Sequence, residues 1–477
     1  MPKLMKALLA TLVVVLFAVV AMIVWRSTSD SADSRPTVLA QKQVRSLFAH
    51  QPTIDWRVPV KDAAPEGLAA PEFGNGFSYD RSGPQVIDLI DTVIVGVVDS
   101  ESAGELPSMV AIDVATGEIR WRAKGDPRTC ASATIDGLLP CVIGTPSGGA
   151  GDEVAMIRVA DGTIERTLPR PSSIVVGSIR GVRVLGDRVI VAGYGAGETG
   201  NPATIIVAGT VTDLSAHWTV SHSARSRCFG TGDSLYFEAG TDFISVGNDA
   251  GQTVVRSSDG SLITDERLAN VQHRPGQGLI ATSCRGSEPR SPRELLIYDT
   301  SGKLIRKHDS VTSGFAGVGV AGTAGGDAPY RVGTVVTAFD SGQPAWPSAG
   351  TVPDELAYGL TIEAIGDKAL VSYPSCAQCV DATSNVMTGY TLDGGHNLWP
   401  QIHETLSSRE WVTDGERIIW LDENKVAALD VATGRQAWAV PAGTGDPDYS
   451  GPGSLYRAGA GFVLRTKHYL TYFRPDA

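Results

Sequence analysis

A hairpin pattern that returns along the chain is the feature that most constrains its fold. Residues 110–121 read VAIDVATGEIRW, and residues 426–438 read VAALDVATGRQAW. In each copy the glycine supplies the positive φ that a tight turn needs, and the Asp and Thr can bond nearby backbone amides. The Trp follows four residues after the glycine, on the returning strand. Each copy therefore predicts a strand, a turn and a second strand.

The same Gly-to-Trp spacing recurs at Gly342 with Trp346 and at Gly395 with Trp399. Weaker copies keep the glycine turn and lack the Trp, and one copy keeps Trp218 without the glycine. Successive turns are separated by 39 to 53 residues, which fits one four-stranded blade of a β-propeller. The equivalent turn positions are 117, 162, 214, 260, 302, 342, 395 and 434.

Short hydrophobic strands after Gly/Asp turns support a propeller. Four of them begin near Gly186, Gly232, Gly366 and Gly415, and they predict inner strands of the blades. A tandem of unrelated β-sandwiches is the alternative interpretation. The four matching Gly/Trp spacings argue against it.

The predicted fold class is all-β, a β-propeller preceded by one N-terminal transmembrane helix. Residues 455–472 look like inner strands that lack an outer one, and residues 54–60 look like an outer strand that lacks inner ones. Their pairing would close the ring and remove open sheet edges. This count gives nine blade candidates, of which at least one is interpreted as an insertion. We predict eight blades, with seven as the alternative.

The N-terminal segment predicts a membrane anchor. Lys3 and Lys6 precede an apolar run over residues 7–25, which at about 1.5 Å per residue spans about 28 Å. A cleaved signal peptide would carry a small-x-small site, and bulky residues reach the boundary at Trp25. The positive-inside rule then places the propeller outside a bacterial cytoplasmic membrane, as a single-pass protein. We expect a cytoplasmic tip and anchor over 1–26, a tether with a short helix at 38–48 over 27–53, and the propeller over 54–477.

Charge and composition narrow the function classes. The net charge is −12 and the pI is about 5.2, so a nucleic-acid partner, which needs a basic surface, is not expected. Charged residues make up 19% and hydrophobic ones 42%, which is typical of a globular protein.

The six cysteines all follow the anchor, in an oxidising compartment, and three disulfides are expected. Six cysteines allow fifteen pairings. Proximity favours Cys130 with Cys141 and Cys376 with Cys379, and Cys228 with Cys284 is left by elimination. A redox pair or half a zinc site is the alternative at Cys376 and Cys379, but no second Cys-x-x-Cys pair completes a zinc site. All six are disulfide candidates: Cys130, Cys141, Cys228, Cys284, Cys376 and Cys379.

Motifs of common catalytic sites are absent from the sequence. There is no Gly-x-Ser-x-Gly, no His-Glu-x-x-His and no Walker loop, and the eight His residues show no ligand-like pairing. Carboxylates near strand ends, at Asp91, Asp99, Asp367 and Asp422, are expected to serve turns. We predict no catalytic, cofactor-binding or metal residues.

The segments Asp113 to Trp121 and Asp430 to Trp438 resemble the tryptophan-docking repeat of pyrroloquinoline quinone (PQQ)-type propellers. In that superfamily the Trp packs between neighbouring blades. The resemblance implies a structural docking role for Trp121, Trp346, Trp399 and Trp438, with Gly117, Gly342, Gly395 and Gly434. The superfamily contains quinoprotein dehydrogenases and catalytically inert propellers such as the outer-membrane assembly lipoprotein BamB.

The inert branch is the expected one, because alcohol-oxidising members carry adjacent cysteines against the quinone and this sequence has none. The resemblance then implies no enzyme activity and no cofactor. The predicted function is a non-catalytic binding scaffold in the cell envelope whose partner is an envelope protein or polymer. The alternative is a propeller that binds PQQ or another small ligand, as a quinoprotein oxidoreductase or a sensor. Contact loops are expected near 141–153, 193–203, 284–294, 323–331 and 441–453.

Overall fold

A computed structural model describes the chain within residues 42–476, with gaps. The described ranges are 42–74, 86–100, 108–123, 127–144, 152–175, 179–196, 203–223, 236–248, 251–283, 293–311, 318–321, 330–332, 335–339, 341–346, 361–374, 385–400, 402–404, 411–422, 425–442 and 453–476.

The regular secondary structure of the described chain is almost entirely β-strand, as the sequence predicts. One helix is four residues long, α1 at Val60–Ala63. The strands of the first half are β1 Thr53–Pro59, β2 Pro71–Phe73, β3 Val86–Asp88, β4 Thr92–Asp99, β5 Ser108–Asp113, β6 Ile119–Ala123, β7 Pro127–Cys130, β8 Leu138–Ile143, β9 Glu153–Arg158, β10 Ile164–Pro169, β11 Ile179–Leu185, β12 Arg188–Gly195, β13 Ala203–Gly209, β14 Trp218–His222, β15 Tyr236–Ala239, β16 Phe243–Asn248 and β17 Gly251–Arg256.

The second half also consists of short β-strands. Its strands are β18 Leu268–Arg274, β19 Gly278–Ser283, β20 Arg293–Asp299, β21 Leu304–Val311, β22 Val318–Ala321, β23 Tyr330–Val332, β24 Val335–Thr337, β25 Thr361–Ile365, β26 Lys368–Pro374, β27 Asn385–Thr391, β28 Ile402–Glu404, β29 Trp411–Thr413, β30 Arg417–Asp422, β31 Lys425–Asp430, β32 Gln436–Pro441, β33 Ser454–Ala458, β34 Gly461–Arg465 and β35 Tyr469–Arg474.

Strands that follow one another in sequence form small antiparallel sheets, which is the organisation of a β-propeller. The sheets β7–β10, β11–β14 and β29–β32 each hold four strands in chain order. A sheet of β2 to β6 precedes them, and β25–β28 form another that β22 joins in parallel. Strands β15–β21 form one sheet of seven because Gln252 on β17 pairs with Leu268 on β18, while β23 and β24 pair alone.

The two ends of the chain complete one sheet together. Strand β1 pairs antiparallel with β35, from Thr53 opposite Arg474 to Pro59 opposite Tyr469, and β34 and β33 continue the sheet. The predicted pairing of residues 54–60 with the C-terminal strands is therefore confirmed, with β1 as the edge strand of this sheet and β35 paired on both sides.

The core lies between the faces of neighbouring sheets. Every residue of β13 is buried, whereas the outer strand β14 alternates between exposed and less exposed positions. A middle strand is covered by a sheet on each face, so it reads as an unbroken apolar run, and an outer strand has one face in water. Val191, Ile205 and Val207 illustrate the first kind, each at most 2% exposed.

The segment before β1 departs from the expected helix at 38–48. The described part, from residue 42, contains no helix, and Gln43 forms a parallel bridge with Thr413 instead. Val44 and Phe48 are both buried, although no helix forms there. Their burial comes from contacts with two sheets.

Among the residues that the structure describes, no helix is long and apolar enough to cross a membrane. The predicted anchor at 7–25 lies outside those residues.

Candidate functional site

Tryptophans of the repeat bond the next hairpin along the chain. The indole N–H of Trp121 on β6 donates to the carbonyl of Val159, at 2.6 Å, and that of Trp399 donates to Val431, at 2.8 Å. In both cases the acceptor lies three residues before the glycine of that hairpin. The same contact occurs at two further positions, Trp56 to Val114 at 2.7 Å and Trp346 to Leu392 at 3.0 Å. Trp438 instead donates to the carbonyl of Phe48, which precedes β1, at 2.8 Å.

The hairpin glycines lie directly under these rings. A Cβ placed on Gly162 would lie 2.6 Å from the Trp121 ring, and one on Gly117 would lie 2.7 Å from Trp56. Both glycines also have φ near +73°, which side chains with a Cβ rarely adopt. Glycine is therefore required twice, by the turn and by the ring above it. The glycines at 395 and 434 are likewise covered, by Trp346 and Trp399 respectively.

Gly342 is covered by an arginine, which the sequence analysis missed. The Arg306 guanidinium lies over Gly342 and donates to the Phe339 carbonyl at 2.7 Å, again three residues before the glycine. Arg306 stands four residues after Gly302, the position that Trp holds in the strong copies. That spacing is the signal that would have found it.

Trp218 covers Gly260 without the usual bond. Its indole nitrogen has no hydrogen-bond partner within the described part of the chain. Arg188 donates instead to Ser257 at 2.9 Å, and Ser257 is three residues before Gly260.

The aspartates of the repeat hold their own turns. Asp113 Oδ1 accepts the amides of Ala115 and Thr116, each at 2.9 Å, and Asp113 Oδ2 accepts a bond from Arg120 at 2.6 Å. The Arg120 bond lowers the pKa of Asp113, against the opposing effect of burial. Hydrogen bonds from nearby hydroxyls and amides likewise lower the pKa of Asp161, Asp259 and Asp299.

The carboxylates singled out near strand ends serve turns and ion pairs. Asp99 accepts the amides of Ala69 and Ala70 at 3.1 and 3.2 Å. Asp422 pairs with Lys425 at 3.2 Å. The other two, Asp91 and Asp367, bond Thr92 and Lys368 in turn.

Three histidines on strands each form a hydrogen bond with a hydroxyl group on another strand, at 2.9 Å. The pairs are His222 with Thr253, His273 with Ser245, and His308 with Tyr330. Burial lowers the pKa of His222 and His308, so both favour the neutral form. Among the described residues no group of three or more His, Cys, Asp or Glu is placed to hold a metal ion.

A disulfide joins Cys130 on β7 to Cys141 on β8, which confirms that pairing. Both residues are fully buried, and their Cα atoms are 4.0 Å apart. The remaining candidates lie outside the described residues: Cys228, Cys284, Cys376 and Cys379.

The two edges of the sheets differ. One, here called the turn edge, carries the repeat hairpins and the turns between the first two strands of each sheet; Val114 bonds Asp91 across it, and Val431 bonds Glu416, both at 3.0 Å. Because neighbouring strands are antiparallel, the other connections leave from the opposite edge, here called the loop edge. The longer ones are 100–107, 144–152, 170–178, 196–202, 223–235, 284–292, 312–317, 375–384, 405–410 and 442–453.

No protein-family model matches the chain, and no curated protein matches it in sequence. Several solved structures are similar in fold. A quinohemoprotein alcohol dehydrogenase from Comamonas testosteroni is 12% identical over 91% of this chain and 78% of its own, with a TM-score of 0.46. A quinohemoprotein alcohol dehydrogenase from Pseudomonas putida HK5 is 11% identical (85% and 76% covered, TM-score 0.43), and a europium-containing methanol dehydrogenase is 12% identical (88% and 86%, TM-score 0.43).

These comparisons contradict one prediction. The chain was expected not to be an enzyme, whereas three of the similar structures are dehydrogenases. At 11 to 12% identity they only suggest an activity, and the likeness is one of fold. Membership of the PQQ-type superfamily and of its BamB-like branch both stay predictions.

Proposed function

We propose that this chain is a membrane-anchored β-propeller that binds an envelope protein or polymer outside a bacterial cytoplasmic membrane. One observation carries the proposal, the difference between the two edges of the sheets. At the turn edge, carboxylates and carbonyls are engaged by the chain itself, as at Asp113 and Val159. The long connections leave from the loop edge, and binding residues are commonly borne on loops that a rigid scaffold positions.

The docking contacts support this proposal, because they supply that rigidity. We propose that Trp121, Trp346, Trp399 and Trp438 hold neighbouring sheets in register, with the glycines at 117, 342, 395 and 434 leaving room for the side chains above them. A buried indole N–H bonded to a carbonyl fixes the ring in direction as well as in depth. The blade count stays the sequence prediction of eight, with seven as the alternative. The anchor at 7–25 also stays a prediction.

Site-specific photo-crosslinking on cells tests the binding edge. A photoreactive residue is placed at Thr199 or Ser287, in two connections of the loop edge, and at the exposed Ala115 or Ala432 of the turn edge as matched controls. We expect a discrete adduct of higher mass from the first pair and none from the second. Adducts from the turn edge alone, or from no position, would contradict the proposal.

Titration calorimetry with PQQ, in the presence and absence of Ca²⁺, tests the alternative function on the purified full chain. Saturable binding that requires Ca²⁺ would replace the envelope-partner proposal with a quinoprotein function. Heats no larger than those of buffer dilution would leave the proposal in place.

A further inference from the structure

The closing sheet lacks the turn on which a docking tryptophan would rest. Strands β35 and β1 occupy the positions that one hairpin fills in other sheets, but they come from opposite ends of the chain. The Trp438 indole nevertheless bonds a carbonyl, that of Phe48, at 2.8 Å. A separate segment therefore supplies what the missing turn would have supplied.

That segment, residues 42–48, is held by the backbone of the sheet β29–β32. Val44 N–H donates to Thr413 O at 2.7 Å, and Thr413 N–H donates to Lys42 O at 2.8 Å. Phe48 N–H donates to Asp414 Oδ2 at 2.8 Å, and the Asp414 carboxylate is fully buried. Val44 is 3% exposed and Phe48 is 1% exposed. These are the contacts of a core element.

The same segment reaches the closing sheet and the sheet of β2 to β6. The Phe48 ring lies 5.1 Å from that of Phe462 on β34 and 6.4 Å from that of Trp438 on β32. Arg45 donates to Gly459 O at 2.7 Å and to the Asp88 carboxylate at 2.8 Å. Seven residues thus contact three sheets.

Asp88 gathers groups from all parts of this junction. Besides Arg45, it accepts bonds from Arg457 on β33 at 2.7 Å and from the Gly459 amide at 3.0 Å. Its side chain is 7% exposed. Loss of a partner would leave a buried charge unpaired, which strongly destabilises a folded protein. The first and last sheets and the N-terminal segment therefore share one ion cluster centred on the buried Asp88 carboxylate, with Arg45 at its exposed side.

We infer that residues 42–48 form a strap that replaces the missing turn and closes the ring by non-covalent contacts. The strap belongs to the folded propeller and not to the predicted tether. A force or a cut acting N-terminal to the strap leaves the ring closed. A cut between the strap and β1 leaves the ring bound to the strap without a peptide bond. This inference stands apart from the proposed partner and from the anchor.

The test uses the full chain in detergent, with an affinity tag at its N-terminus. A recognition sequence for a site-specific protease is inserted either after Pro36 or after the exposed His50. After capture on the tag, cleavage beyond Pro36 should release the propeller at once. Cleavage beyond His50 should leave it on the resin, because the strap then connects tag and ring.

Two substitutions in the chain that carries the protease site after His50 test which strap contacts hold the ring. Phe48→Ala should raise the dissociation constant of strap and ring about 100-fold or more, since it removes a buried aromatic side chain. Leu47→Ala is the matched control, because Leu47 is 56% exposed. Strap and ring should bind each other in this variant as tightly as in the parent.

Hydrogen exchange on the uncut, unsubstituted chain gives a second measurement, which does not depend on a variant that folds. The amides of Val44 and Phe48 should exchange at least about 100-fold more slowly than that of Leu47. Release of the ring after cleavage beyond His50, or equal exchange at the three amides, would overturn the inference.

Discussion

Replacing Gly162 by alanine tests the idea that each docking ring needs a bare glycine. The new Cβ would lie 2.6 Å from the Trp121 ring, and Gly162 has φ +73°. The left-handed backbone costs about 1–2 kcal/mol with a Cβ, and overpacking adds about 1–3 kcal/mol. If the ring moves away, its bond to Val159 is lost as well, which adds about 1 kcal/mol. We expect Gly162→Ala to lower the free energy of unfolding by about 3–6 kcal/mol.

Gly137→Ala is the matched control. Gly137 lies in the same sheet, in the turn between β7 and β8, with φ +75° and no atom within 4 Å of a new Cβ. It should lose only the backbone contribution, about 1–2 kcal/mol. At about 2.1 cal/mol/K per residue, a propeller of about 440 residues shifts in melting temperature by about 1 °C per kcal/mol. Scanning calorimetry should place Gly162→Ala about 2–4 °C below Gly137→Ala.

A double-mutant cycle separates the ring from the backbone. In the Trp121→Ala background, the Gly162→Ala change should cost no more than Gly137→Ala does, because no ring remains to clash. Equal melting temperatures for the two alanine variants in the parent background would refute the reasoning, as would an undiminished loss in the Trp121→Ala background.

Three further predictions use the same calorimetric measurement. Arg306→Ala should destabilise by about 2–3 kcal/mol through the lost bond to Phe339, while Arg306→Trp should stay within about 1 kcal/mol of the parent; a larger loss for the Trp variant would count against the shared role. Joint replacement of Cys130 and Cys141 by alanine should cost about 3 kcal/mol, because the disulfide closes a loop with a sequence separation of 11; no change would mean that the loop is ordered without it. Bonds from Ser301 lower the pKa of Asp299 from 3.8, so its stabilisation is present above about pH 4 and is lost as the pH falls through the lower folded-state pKa. Between pH 6 and pH 2.5 the melting temperature of the parent should fall further than that of Asp299→Asn. Parallel curves of melting temperature against pH would contradict this.

The repeat made the small antiparallel sheets and the pairing of the two chain ends predictable. The Gly-to-Trp spacing predicts a strand, a turn and a strand, because the turn depends on nearby residues alone. The hairpins at Gly117 and Gly434 could therefore be identified from the sequence. The pairing of the ends followed from counting, because residues 54–60 had no inner strands and residues 455–472 had no outer one. The Cys130 to Cys141 disulfide was predictable too, since a short separation in a hairpin favours direct pairing across two strands.

The segment 42–48 was not predictable from a local pattern. Val44 and Phe48 have the spacing of one helical face, yet each is buried by residues nearly 370 positions or more away, Thr413, Asp414 and Trp438. Periodicity reports which positions are buried and cannot report what buries them. The chemistry of the loop edge was unpredictable for a related reason, because loops carry no period at all.

Arg306 shows what the docking position selects. The position needs a flat group that lies over a glycine and carries an N–H aimed at a carbonyl, and both indole and guanidinium meet that need. A search for Trp alone therefore overlooks one junction. A search for Trp or Arg four residues after a hairpin glycine also selects Arg166, which bonds Glu165 at 2.8 Å. The next turn after Arg166 has Leu214 where a glycine would stand, so the rule has two parts: a planar donor on one hairpin and a glycine in the next.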